Sequence, residues 1–357
     1  MRRRPGCVLN SPAGGFPLTC LVTAIGSYSA EAVIASLREH WGARVVGSNT
    51  QPRDWCTTAL LLDAFYQVPP ARNGAAEYVA RILDICEAER VTHVLPLIDP
   101  EVDAFALHHE AFAARGITLC MQPLETIRVA RDKWLVYGAF CDDPLVRPIP
   151  TWRLEDLPVP GLDLPLIAKP RDGRNCEGLM QVRDEDFLHY VRKRFSNRDY
   201  IVQPLLPGDV CVVDVVRQHS SGEWAAMARQ ELVRTPTGAG LTVRMLADPR
   251  LLEMAGQVAG VLGVNGCINM EFLVQDGEAL LMDVNPRFSG GIAFSHRSGY
   301  DMVSNHLRCF REAPLDAPVL PAASIHARRL VEVTTCTGLP ACVGADSVRD
   351  VLTPLQR

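Results

Sequence analysis

A chain of 357 residues, 48% hydrophobic and 22% charged, has the length for two or three domains and the composition of a soluble globular protein. Its net charge of −5 gives no general attraction to nucleic acid, and no run of about 18 apolar residues is present to cross a membrane. The 12 cysteines form no CxxC pair and no Cys/His metal spacing, which favours reduced, mostly buried thiols in a cytoplasm over a disulfide scaffold.

Residues 1–16 begin with Arg2, Arg3 and Arg4, but Pro5, Gly6, Pro12, Gly14 and Gly15 fall where the apolar core of a signal peptide would lie. A disordered lead-in is expected instead. From Leu18 onward short apolar runs alternate with helical periodicity. Strands are expected over 18–25, 43–47, 65–68, 92–98 and 117–121, and helices over 29–41, 77–90 and 101–115. This order predicts a parallel, doubly wound domain over 17–122, with its ligand edge near Gly26, Ser27 and Tyr28 and over residues 96–101. A full G-x-G-x-x-G is absent, so nothing points to a dinucleotide.

A helix over 126–140 carries Asp132 and Lys133, and prolines at 144, 148, 150, 158, 160 and 165 then mark a junction. Strands over 166–169, 200–203, 210–216 and 223–233 lack helices between them and predict an antiparallel α+β region. The stripe of Leu251, Ala255, Val258 and Leu262 predicts a core helix over 249–262. Residues 331–335 are expected to finish a sheet, with the rest of 321–357 as a tail.

Three stretches carry chemistry. Lys169 ends an apolar strand and must point at something polar. The loop that follows, with Arg171, Gly173 and Gly178, can close backbone N–H groups over phosphates, or be a solvated hairpin tip. Farther on, Gln203, Leu205 and Leu206 form an apolar crossover able to hold a purine ring, with Asp209 placed for ribose hydroxyls; a plain hinge is the alternative. Residues 268–291 read as a strand, a turn at Asp276 and Gly277, and a second strand ending at Asn285 and Pro286. A three-residue loop with Gly277 left-handed would set Glu271 opposite Asp283, on the face shared with Asn285. Hard oxygens so grouped suit Mg²⁺, and Arg287 adds a fork for phosphate. Alone, this hairpin could equally be an ordinary solvated one.

The ordered set DK at 132–133, KPRDGRNCEG at 169–178, VQPLLPGD at 202–209, INMEF at 268–272 and DVNPRFSGG at 283–291 resembles the ATP-grasp superfamily. The resemblance covers residues 18–312 and is strongest to the carbamoyl phosphate synthetase large subunit and PylC-type amino acid ligases. It implies an α/β and α+β fold class: a Rossmann-like N-terminal domain, then an ATP-grasp fold over 123–320 whose two α+β subdomains clamp ATP, with a lid over about 150–206. It also implies that Lys133 and Lys169 meet the nucleotide phosphates, with Arg171, Gly173, Gly178, Leu205 and Leu206 around the nucleotide. Gln203 and Asp209 take the hinge and ribose positions, although an acid is usual at the former. Glu271, Asp283 and Asn285 match the Mg²⁺ (or Mn²⁺) ligands, with Asp283 where Glu is common.

Arg287 matches the arginine that faces the transferred phosphate, so Arg287 and Lys169 are the expected catalytic pair. Thr237-Gly238 to Thr242-Val243 resembles a substrate-side loop. The implied activity is an ATP-dependent carboxylate-amine ligase working through an acylphosphate, with the loop over 171–178 as a lid that excludes water. Phosphorylation of a small carboxylate or carbamate, and nucleotide binding without turnover, are the alternatives. Arg229, Arg234, Arg244 and Arg297 are candidates for a substrate carboxylate. The expected partners are small-molecule carboxylates and amines, with no nucleic acid and no membrane, and a homodimer is allowed.

Overall fold

A computed structural model describes residues 18–157, 163–174, 176–195 and 199–337. The expected lead-in and the end of the tail lie outside the described residues. The chain opens with five strands, β1 (Thr19–Val22), β2 (Arg44–Asn49), β3 (Ala64–Gln67), β4 (His93–Leu95) and β5 (Thr118–Leu119). They form one parallel sheet in the order β3-β2-β1-β4-β5. Parallel neighbours need crossovers, which α1 (Ala30–Trp41), α2 (Ala75–Glu89), α3 (Asp99–Leu107) and α4 (His109–Ala113) supply. Both faces of the sheet are buried. Cys20 and Val22 of β1 point to one core and Leu21 to another, as the two-residue period of a strand requires.

The helix expected over 126–140 is two helices, α5 (Leu124–Ala130) and α6 (Lys133–Phe140). Asp132 makes the break, because its carboxylate accepts from the backbone N–H groups of Trp134 and Leu135 and so starts a new helix. After the short strand β6 (Arg147–Pro148), a four-stranded antiparallel sheet forms from β7 (Trp152–Arg153), β8 (Leu166–Pro170), β9 (Met180–Val182) and β10 (Tyr200–Pro204), ordered β7-β10-β8-β9. Helix α7 (Glu185–Phe195) packs on it around a small core of Leu166, Ala168, Leu188 and Val202.

The remaining strands, β11 (Asp209–Arg217), β12 (Trp224–Arg234), β13 (Gly240–Leu246), β14 (Gly266–Gln275), β15 (Glu278–Asn285) and β16 (Ile325–Ala327), join β6 in a seven-stranded sheet ordered β16-β13-β12-β11-β14-β15-β6. Two expectations are corrected here. Residues 331–335 form no strand; β16 closes the sheet, pairing with β13. Of residues 237–243, placed in a loop from sequence, 240–243 begin β13, a strand bonded to β12. Helix α8 (Pro249–Val261) covers one face of this sheet with α6. The other face shares a core with the parallel sheet and with α9 (Ile292–Arg297) and α10 (Met302–Phe310), so Val22 and Leu95 pack with Met227, Met245, Phe288 and Leu307. The parallel sheet is therefore fixed on the sheet that carries β14 and β15.

His306 is the polar weld in that core. Its Nδ1 accepts from the Cys267 N–H at 2.8 Å, and its Nε2 lies 3.1 Å from the Cys120 carbonyl, which calls for the neutral tautomer protonated at Nε2. Burial brings its pKa down to about 4. The unfolded chain thus takes a proton near pH 6.5 that the folded chain refuses until about pH 4, and stability falls as pH drops through that window. His306→Asn is expected to remove about one proton's worth of slope, about 1.4 kcal/mol per pH unit, from urea-measured stability between pH 6 and 4.5. An unchanged slope would contradict this.

Candidate active site

The β14–β15 hairpin is where local geometry matters most. Asp276 and Gly277 both have positive φ, 50° and 82°, and Gln275 pairs with Glu278, so the turn holds two residues and not the expected three. A two-residue turn alone would bring Met282 opposite Glu271. The ladder slips by one between Glu271 and Phe272, with Phe272 facing Leu281 and Glu271 facing Asp283, and Met282 is the extra residue. Opposition of Glu271 and Asp283 thus comes from a bulge, which also leaves Asn285 paired with Asn269. Opposed residues place their Cβ atoms about 5 Å apart.

Each acid has a cation. Glu271 Oε2 accepts from Arg234 Nη2 at 2.8 Å, and Asp283 Oδ2 lies 3.4 Å from Lys133 Nζ. Lys133 sits at the start of α6, buried, and also donates to the Gly173 carbonyl at 2.8 Å. The side chain of Lys169, near the end of β8, has no hydrogen bond or ion pair among the described residues. Burial holds its ammonium below the usual lysine range, against the pull of Asp283 and helped by the repulsion of Lys133. An unpaired, half-buried ammonium beside a second one is built for an anion.

Arg287 reaches the parallel sheet. Its Nε and Nη2 each donate to Asp99 at 2.9 Å, and Nη2 also donates to Asn285 Oδ1 at 3.3 Å. Burial would lift the Asp99 carboxyl, but Arg287, with Arg131 and Arg174 behind it, brings it below the usual range. Asp99 opens α3 at the carboxyl end of β4, where a ligand edge was expected.

These groups line one cavity of about 720 Å³. Lys133, Lys169, Gly173, Glu271, Asp283, Asn285 and Arg287 are on its wall, together with Ser27, Tyr28, Asp99 and Glu101 from the parallel sheet's edge. Of the four arginines weighed for a substrate carboxylate, Arg229 and Arg234 are on the wall; Arg244 and Arg297 are not. The wall also includes Arg72, Arg174 and Glu231, which sequence reasoning did not single out, and for Glu231 no local pattern signals it.

Several expected residues stand elsewhere. Arg171 is a strut: it donates through Nε and Nη2 to Asp132, while its own carbonyl accepts from the Lys133 N–H. Gly178 lies behind the wall, where an added Cβ would stand 2.8 Å from the Tyr200 hydroxyl. Gln203 is buried and donates to Thr151 Oγ1 at 2.8 Å, and the Leu205 N–H donates to the Pro165 carbonyl. Leu206 lines a separate cavity of about 280 Å³ with Leu273 and Leu280, and Asp209 is exposed at the start of β11. Because the loop after β8 is tied down through Arg171, Arg171→Ala is expected to speed limited proteolysis of that loop several-fold while moving the melting temperature by less than about 3 °C. Unchanged cleavage would show that Asp132 does not hold the loop.

The described cysteines are all free thiols, seven buried and three exposed. No helix among the described residues is long and apolar enough to cross a membrane.

Comparison with known proteins agrees with this architecture. Residues 196–335 match the family described as ATP-grasp in the biosynthetic pathway with Ter operon, and residues 20–120 match the PylC-like N-terminal domain. The fold is therefore that of an ATP-grasp protein preceded by a PylC-like domain. Among curated proteins, this chain is 23% identical over 322 residues to the carbamoyl phosphate synthase large chain of Methanosarcina acetivorans, covering 80% of the chain but 28% of that protein. It therefore spans less than a third of that relative's length. Among solved structures, the biotin carboxylase of Campylobacter jejuni superposes with a TM-score of 0.70 at 17% identity, over 84% of this chain and 72% of that one. The ADP-bound N5-carboxyaminoimidazole synthetase of Staphylococcus aureus gives 0.68 at 12%, over 88% and 83%. At such identities the likeness is one of fold.

Proposed function

We propose that this ATP-grasp protein is an ATP-dependent carboxylate-amine ligase that activates its acid as an acylphosphate and releases ADP and phosphate. The observation that carries the reading is a single wall on which Lys133, Lys169, Glu271, Asp283, Asn285 and Arg287 converge from five segments. The donor set fits magnesium: two carboxylates and an amide oxygen share one sheet face, and both carboxylates already attract cations. Bound there by Glu271, Asp283 and Asn285, Mg²⁺ would supply charge neutralisation on the nucleotide phosphates.

The chain's own groups do the rest. Lys169 and Lys133 hold phosphate oxygens, and Arg287, kept in plane by Asp99, faces the phosphoryl group as its oxygens gain charge. The substrate carboxylate attacks the γ-phosphorus, the bond to the ADP oxygen breaks, and an amine then displaces phosphate from the acyl carbon. Arg234, once relieved of Glu271, is the wall arginine placed for a substrate carboxylate. The loop after β8 shields the acylphosphate from water through Gly173, Arg174 and Glu177.

The test is ADP release by purified protein with Mg²⁺ and ATP over a panel of amino and other carboxylic acids, each with and without amines. Release that requires both an acid and an amine supports the ligase. Release with acid alone points to simple phosphorylation, and tight ATP binding with no stimulated release over a broad panel points to a non-catalytic protein.

A further inference from the structure

Beside the metal and phosphate groups, the same sheet face carries a charge arrangement with an unmatched acid. Arg229, on β12, donates from Nη1 to Asp214 Oδ2 at 2.6 Å, from Nε to Glu231 Oε1 at 3.1 Å and from Nη2 to Ser289 Oγ at 3.1 Å. The three charged side chains are at most 2% exposed. One guanidinium between two buried carboxylates leaves one negative charge unmatched within the triad; the neighbouring Arg234 is engaged by Glu271, and Arg328 acts on Glu231 only through space while it donates to the Gly240 and Gly290 carbonyls.

The two acids are not equivalent. Asp214 Oδ2 takes a second hydrogen bond from Ser295 Oγ at 2.7 Å, and Asp214 lies off the cavity wall. Both acids keep one buried oxygen without a hydrogen-bond partner among the described residues, Asp214 Oδ1 and Glu231 Oε2, but only Glu231 lies on the wall. Gly240, on β13 and also on the wall, leaves room for that oxygen: a Cβ there would stand 2.0 Å from Oε2. Burial raises the Glu231 carboxyl above its usual range in spite of Arg229 and Arg234. Arg229 and Glu271 both flank Val212 across the sheet, and Glu231 is two residues on from Arg229, so Glu231 and Glu271 are about 12 Å apart at Cα. A small acyl group and its attacking amine fit that span.

We infer that the Glu231 carboxylate, turned from Gly240 toward the cavity, receives the ammonium group of the amine substrate and accepts the proton it must lose before attack. The inference rests on the ligase reading. A protonated amine has no lone pair, so it must first transfer one proton, here to the Glu231 carboxylate. The nitrogen lone pair then forms the C–N bond at the acyl carbon, the C–O bond to phosphate breaks, and phosphate leaves with the electron pair. The second nitrogen proton goes to the departing phosphate, and Glu231 returns its proton to solvent. The ligand class is therefore a primary amine that is cationic at neutral pH.

Hydroxylamine, which is unprotonated at neutral pH, separates proton removal from everything else. With a carboxylate found in the ADP-release panel, hydroxamate formation from hydroxylamine and product formation from the cationic amine are measured side by side for wild type and Glu231→Gln, with Mg-ATP affinity and melting as checks on folding. The expected result is an amine-to-hydroxylamine rate ratio about 100-fold lower in the variant, recovering as pH is raised toward the pKa of the free amine. Should Gln at 231 unfold the chain, Glu231→Asp keeps a charge beside Arg229 but withdraws it by one methylene, and the ratio is expected to fall about tenfold. An unchanged ratio in whichever variant folds overturns the role of Glu231. Absence of any hydroxamate in wild type overturns the ligase reading itself, and this role with it.

Discussion

Replacing Glu271 by Gln and Asp283 by Asn together is expected to lower ATP-dependent turnover by at least about 10³-fold, several kcal/mol of transition-state stabilisation. The fold should survive. Both side chains are partly exposed, at 21% and 25%, and each loses one ion pair, to Arg234 and to Lys133. The amides match the carboxylates in size and still accept hydrogen bonds, so melting is expected to shift by only a few degrees, as for partly exposed pairs of modest worth. The binding signature is equally specific. Wild type should bind ATP more tightly as Mg²⁺ is added, whereas the double variant should show little dependence on the metal. Undiminished turnover with unchanged metal dependence would remove Glu271 and Asp283 from the site.

The second large effect is expected at Arg287. Arg287→Lys keeps a cation but gives up the planar fork that meets both oxygens of Asp99 at 2.9 Å. A lysine can satisfy one of those oxygens and cannot hold its charge in the same plane. The expected outcome is a kcat lowered by about 10² to 10³ with ATP affinity changed less than tenfold, since the role proposed for the arginine is on charge that develops during transfer. Asp99→Asn should lower kcat by about tenfold at nearly constant KM for ATP, because it leaves the arginine in place but removes half of what orients it. An Arg287→Lys protein that loses ATP binding and keeps kcat would assign the residue to ground-state binding.

Sequence periodicity showed much of the fold. The alternation of Val22, Leu95 and their neighbours with helices predicted a parallel sheet, and the expectation of a ligand edge near Ser27, Tyr28 and residues 96–101 names positions that line the cavity. Glu271, Asp283 and Asn285 could be placed on one face because strand period two is a local property. Features set by distant partners were not legible. The bulge at Met282 depends on how the whole ladder pairs, and the correct opposition was reached through a turn of the wrong length. Arg171 was expected around the nucleotide, and nothing local shows that Asp132, 39 residues earlier, holds its guanidinium. That the Gln203 amide is held by Thr151, 52 residues earlier, is likewise not visible locally. Asp99 and Glu231 acquire their meaning only when β4, β12 and β15 are brought together, since an acidic residue at a helix start or in a strand is unremarkable by itself.

On the wall formed by Lys169, Asp283 and Arg287, ATP is proposed to turn a substrate carboxylate into an acylphosphate. This step is tested most directly with carboxylic acids labelled with ¹⁸O in the carboxyl group, offered with ATP, Mg²⁺ and an amine, and followed by mass spectrometry of the released phosphate. The account predicts one ¹⁸O atom in each phosphate produced, because the attacking carboxylate oxygen stays on phosphorus when the amine displaces it. Phosphate released in step with product but free of ¹⁸O would contradict it.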